Sequence, residues 1–317
     1  MNRTTHQNTI LMCALLSVLV AGQAMAATIR YQASGEYFDT FAVTGTHGWQ
    51  SPGVPGILDT ARFNWASNTV TLAGVAPTIG RFQMGVDESG GLVVNSGGSL
   101  TATNTCMVGN NAGGGGANPT TGFLTINSGG VVNAQGGWLK LGNTAAASPG
   151  VLKGVVTLNG GSLNVSGHLW VGAVANSIGT IDVNNGGTLN VGGMLGLGTV
   201  DAINPSGGTG LLSVNSGGLL ALSNIHSGGS QGSIQPGSLL DITGTGQVTL
   251  PGDFVSVVNG YITAARISGN GVPGNAVAVF DGGQNKTLIT AIPEPSTFAL
   301  LALTGFGLAV YRLGRKG

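Results

Sequence analysis

Through the middle of the chain, apolar side chains occupy alternate positions in short runs, and almost every run is closed by glycine. The clearest stretch, Gly179 to Gly198, holds three such runs: Ile181/Val183, Leu189/Val191 and Leu195/Leu197. A period of two, held for three to five residues between glycines, marks a short β-strand with one buried face. The unit recurs. Aligned on Asn-x-Gly-Gly, its copies start at Leu92–Val94, Leu124–Ile126, Val156–Leu158, Ile181–Val183 and Leu212–Val214. The first glycines of the pairs fall at 97, 129, 160, 186 and 217, giving intervals of 32, 31, 26 and 31 residues. Each unit reads as strand, turn, strand, turn, strand and then a longer loop.

A stripe this narrow is too small to bury itself within one unit, so the units must share a core. If equivalent strands of successive units pair in parallel, the alternating apolar side chains fill one continuous interior, and each backbone group finds a partner in the coil above or below. The expected fold is all-β: a parallel β-helix, or β-solenoid, of about seven coils, right-handed by the usual chirality of parallel crossovers. The recurrent asparagine is expected to stack on its counterpart one coil away, and glycine to form the corners. The 26-residue interval and the short corner Asn159-Gly160-Gly161 depart from the regular unit. Residues 59–250 form the repeat region. Residues 27–58, with Tyr31, Tyr37, Phe38, Phe41 and Trp49, and residues 251–291 are expected to cap its two ends.

Composition narrows the class. Glycine (59) and proline (11) together make about 22% of 317 residues, whereas charged residues make only 7% and hydrophobic ones 42%. Helical domains and collagen are excluded by the glycine content and its spacing, and disorder by the apolar content. A formal net charge of zero gives no electrostatic footprint for nucleic acid.

The termini read as addresses. Residues 1–26 carry Arg3, an apolar run from Ile10 to Ala21, and Ala24-Met25-Ala26, which together describe a secretory signal peptide cleaved after Ala26. Its removal leaves Cys106 as the one cysteine, expected to be a buried apolar residue. Residues 292–317 contain Pro293-Glu294-Pro295, an apolar stretch from Phe298 to Tyr311, and then Arg312, Arg315 and Lys316. That stretch is marginal for spanning a bilayer but sufficient to stop translocation, with its cations on the cytoplasmic side. This tail resembles the PEP-CTERM sorting signal of Gram-negative bacteria. The resemblance implies an exosortase, a membrane transpeptidase, as processing partner, with Pro293, Glu294 and Pro295 recognised and Phe298 to Lys316 holding the chain transiently in the inner membrane. The repeats resemble those shared by autotransporter passengers and PEP-CTERM proteins; Gln83-Met84-Gly85, Met107-Val108-Gly109, Lys140-Leu141-Gly142, Trp170-Val171-Gly172 and Gly196-Leu197-Gly198 match their third strand.

Chemistry is sparse. Between Ser89 and Gly252 the charged side chains are Lys140, Lys153, Asp182, Asp201 and Asp241. A lyase or glycosidase on a β-helix needs clustered carboxylates with a cation, and this set shows no cluster. His47, His168 and His226 have no metal-ligand spacing, and the glycine pairs lie between strands rather than opening a helix as a phosphate loop does. No catalytic residue, cofactor or metal is assigned. Trp138 and Trp170 occupy corresponding places near the third strand, either packed within the solenoid or its loops or forming a sugar-stacking platform. The expected function is non-enzymatic: an exported structural or interaction protein of the cell envelope or extracellular matrix, associated with exopolysaccharide or biofilm. The alternative is a carbohydrate-active β-helix enzyme.

Overall fold

The structure, a computed structural model, describes residues 54–63, 69–86, 88–111, 120–144, 151–199, 208–226 and 233–293, together with the backbone strands Thr28–Tyr31 and Gly35–Glu36. It is a three-faced β-solenoid whose stacked strands pair in parallel. The first face holds Gly90–Val94, Thr121–Asn127, Leu152–Asn159, Ser177–Val183 and Thr209–Val214. The second holds Ser99–Ala102, Val131–Ala134, Ser162–Val165, the start of Thr188–Leu197, and Leu219–Asn224. The third holds Cys106–Asn111, Trp138–Thr144, His168–Val171 and the end of Thr188–Leu197. In the next turn Ile234 closes the third face by bridging Leu197.

These strands make five complete turns. An incomplete turn flanks them on each side: Thr69–Leu72 with Arg81–Met84 before, and Leu239–Ile242 with Gln247–Pro251 after. The solenoid thus has about five turns where the sequence suggests about seven coils, the rest being partial turns at the two ends.

Each complete turn contributes six inward side chains. In one layer these are Val156, Leu158, Leu163, Val165, Leu169 and Val171, all buried. Register aligns them with Leu124, Ile126, Val132, Ala134, Leu139 and Leu141 below, so like sits on like through the stack. The irregular unit keeps this register. Its corner is one residue shorter, yet Leu158 pairs with Ile126 before it and Leu163 with Val132 after it. The 26-residue interval takes up its deficit outside the strands. The chain passes from Val171 to Ser177 in a tight connection, with Asn176 at φ +60° and Ser177 Oγ donating to Val174 O at 2.7 Å.

Glycine is required at two kinds of position. At the corner after the first face the backbone is left-handed, as at Gly129 with φ +76°. Inside the first face, Gly154 points inward where the third face passes close: a Cβ there would lie 2.2 Å from Val108 O.

The C-terminal end is built differently. Lys286–Ala291 runs antiparallel to Gln247–Pro251 and forms a hairpin with Ala276–Asp281, which is left as the sheet edge. Helix α1, Val255–Thr263, buries Val258 and Tyr261 against the end of the core. The Tyr261 hydroxyl donates to His226 O and receives Ile234 N–H, and Arg266 reaches Ile234 O at 2.8 Å. At the other end Thr28–Tyr31 and Gly35–Glu36 extend two faces in parallel, pairing with Thr60–Phe63 and Thr69–Leu72.

Candidate functional site

With the inward positions filled by alkyl groups, any function rests on the outward side chains, which the same alternation sorts into columns along each face. On the first face one column reads Val93, Thr125, Thr157, Asp182, Ser213, Asp241 and Ser268. Asp182 and Asp241 thus share a line, two ladder steps apart, about 9.6 Å at the usual strand spacing. Both are bonded within the column. Burial pushes the Asp182 carboxyl above its ordinary value, partly offset by a hydrogen bond from Ser213. Asp241 accepts from Ser268 Oγ and from Gly271 N at 3.0 Å.

Asparagines occupy the first corner and the second face. Asn95, Asn127, Asn159, Asn184 and Asn215 form a continuous amide ladder: each Nδ2 donates to the Oδ1 of the preceding turn at 2.8 to 3.3 Å, and Thr243 extends it at 3.0 Å. A second ladder links Thr101, Asn133, Asn164 and Asn190 at 2.7 to 3.2 Å. The amides that look free to bind a ligand are thus engaged with one another. This is the stacking expected from the repeat.

The third face is chemically the richest. Its outward column runs Arg62, Gln83, Met107, Lys140, Trp170 and Gly196. Arg62 Nε donates to Gln83 Oε1 at 3.1 Å. The two tryptophans expected at corresponding places are offset: register sets Trp138 beside His168, and Trp170 between Lys140 and Gly196. Trp170 is buried over Gly196, where a Cβ would meet its ring at 2.2 Å, so the two indoles form no joint platform. Its Nε1 is the buried side-chain polar atom without a hydrogen-bond partner among the described residues. His168 lies 5.3 Å from the Trp170 ring, and its Nδ1 accepts Met194 N at 2.9 Å. Trp138 is 41% exposed, with Lys140 Nζ 4.7 Å from its ring centroid. This cation covers a face of the indole on which a sugar would stack. The pair was legible: an i, i+2 spacing in an alternating strand puts both side chains on one surface.

Cys106 takes one of the six inward places of its layer, where burial pushes its thiol up to about 12. Among the described residues no group of three or more His, Cys, Asp or Glu could hold a metal ion, and no helix is long and apolar enough to cross a membrane.

Of the processing residues, Ala24, Ala26, Glu294, Pro295, Phe298, Tyr311, Arg312, Arg315 and Lys316 lie outside the described residues, as does His47. Pro293 is described and exposed. The residue before it is the last one held among the described residues: Ile292 N donates to Asn275 O at 2.8 Å, and Ile292 O accepts from Asn270 Nδ2 and Asn275 Nδ2 at 3.3 and 3.4 Å. Sequence reasoning overlooked a feature beside it. Val272, Val277, Val279, Phe280 and Ile292 of the cap are exposed apolar residues, signalled in part by the unbroken apolar run from Ala276 to Phe280.

Comparison of the chain with protein families, with curated proteins and with solved structures finds no match.

Proposed function

We propose that this is an exported, non-enzymatic structural or interaction protein of the bacterial cell envelope or extracellular matrix, processed by an exosortase and associated with exopolysaccharide. One observation carries the reading: the stacked asparagines of the wall and its two described aspartates are spent on their own neighbours. The asparagines bond along the stack, and Asp182 and Asp241 are tied to ladder serines. A catalytic carboxylate has to be free to exchange a proton with substrate. A wall bonded in this way is suited to be a rigid surface that presents the loops after its third face.

A second reading, a carbohydrate-active enzyme, draws on the shared column of Asp182 and Asp241. Incubation with pectin, alginate and other matrix glycans, followed by unsaturated-product absorbance and reducing ends, separates the two. No product is expected. Product that disappears with Asp182→Asn or Asp241→Asn would establish the enzyme instead.

Sorting has its own test. Replacing Pro293-Glu294-Pro295 by alanines in an exosortase-bearing host is expected to leave an unprocessed, membrane-retained precursor. Identical processing of variant and parent would remove the sorting reading.

A further inference from the structure

The C-terminal cap carries an apolar surface that the solenoid core does not use. Val277 and Val279 point to the outer side of the edge strand Ala276–Asp281, whereas Ala276 and Ala278 face α1 and the core. Register sets Val279 opposite Leu288 and Val277 opposite Thr290 on the neighbouring strand. Ile292, next in that strand's alternation, is 41% exposed, and Val272 nearby is 51% exposed.

The described part of the fold ends at this same patch. The chain is pinned at Ile292, and residues 293–297 separate that point from the apolar stretch that begins at Phe298. Five extended residues reach at most about 18 Å. The headgroup layer takes up about 5 to 8 Å of that length. An inserted tail therefore holds the cap against the bilayer, and the part of the cap nearest the tether is its exposed apolar patch.

We infer that the cap face formed by Val277, Val279, Leu288 and Ile292 rests on the lipid surface while the tail is in the membrane, so that the C-terminal part of the second face's wall is where the solenoid meets the bilayer. This inference rests on the membrane reading of the tail. The occupant it commits to is the interfacial region of a phospholipid bilayer, which accommodates apolar side chains at headgroup depth.

The test uses the full-length chain with Cys13→Ser; Cys106, being buried, is left in place. Val279→Cys and, as a control on the first face, Leu211→Cys each carry a polarity-sensitive nitrobenzoxadiazole label. The labelled chains are incorporated into vesicles of phosphatidylethanolamine and phosphatidylglycerol. Expected is a blue shift at 279 and several-fold stronger quenching there by nitroxide-bearing lipids than at 211. Equal quenching at both positions in vesicles that carry the chain would overturn the lipid contact and leave the tail reading intact. Failure of the chain to float with vesicles, with the solenoid folded by circular dichroism, would overturn the tail reading and the lipid contact together. Concentration-dependent shielding at 279 without lipid would assign the patch to a second copy of the chain.

Discussion

The five central turns and the C-terminal cap solve opposite problems with the same alternating strands. In the turns the strands have parallel neighbours on both sides, with only isolated bridges before Ser99–Ala102, amides bond to their own counterparts, and one layer of six apolar groups rests on the next. Such a stack has no internal reason to stop, because each turn offers the next the surface it was itself built on. The cap supplies the reason. It reverses strand direction at Lys286–Ala291, lays α1 over the open core, and leaves two short edges, Ala276–Asp281 and Val272–Pro273. Repetition gives the turns stability through identity of neighbours, whereas the cap depends on particular contacts that occur once. The two regions should therefore fail differently.

Gly154→Val strikes the stack where first and third faces approach most closely. Its Cβ would meet Val108 O, a backbone atom that cannot move without shifting two faces. A loss of about 3 kcal/mol or more is expected in urea unfolding, with local exchange protection lost in both adjoining turns. Survival of parental stability would mean that the close packing of faces is not what the central glycines secure.

Tyr261→Phe tests the cap. The hydroxyl links α1 to His226 O and Ile234 N in the last turn, and its removal should cost about 1–3 kcal/mol. Hydrogen exchange should rise first in residues 233–263, with the central turns unchanged. Uniform loosening would show that turns and cap unfold as one unit.

Asn159→Ala breaks the corner ladder in the middle, removing one bond to Asn127 and one from Asn184. Because this corner is exposed, water replaces much of the loss, and about 1 kcal/mol is expected in the denaturation midpoint.

The smallest effect belongs to Asp182. Burial raises its native carboxyl above the ordinary 3.8, so the unfolded chain ionises first. Stability from this group is present in full below 3.8 and lost as pH rises through the raised native value. Asp182→Asn should leave stability unchanged near pH 3 and increase it above that window. The gain stays below about 1 kcal/mol, since half of the side chain meets water. Destabilisation at neutral pH would mean that the charged form, held by Ser213, is the one the wall needs.

Cys106 gives a readout for all of these. With its thiol buried and pushed up to about 12, it should resist alkylation in the native protein and react at the rate of opening.

The fold was legible because its two governing signals are local and repeated. Alternation marks which side chains turn inward, and Asn-x-Gly-Gly marks where the chain turns; Leu92, Leu124, Val156, Ile181 and Leu212 fall into one column as the alignment requires. Even the third-strand triplets ending at Gly85, Gly109, Gly142, Gly172 and Gly198 are in register. The surface was less legible. Trp138 and Trp170 look equivalent by position, yet a two-residue offset makes one exposed under a lysine and buries the other over a glycine. The cap, which has no repeat to align, read only as irregular, and its helix and exposed valines went unassigned.

By itself the sequence determined the class of fold, its parallel stacking and its inward face, because a period of two leaves an apolar stripe only one geometry in which many copies can be buried. Tertiary structure alone decided which outward groups are free and which are spent. Hydrogen bonds such as those of Asp241 with Ser268, or Asn184 with Asn159, join residues about 25 or more apart, and their existence depends on register rather than on residue type. It also decided that Ile292, the last residue pinned among those described, lies within an apolar patch, since that follows from a strand reversing direction at the end of a stack.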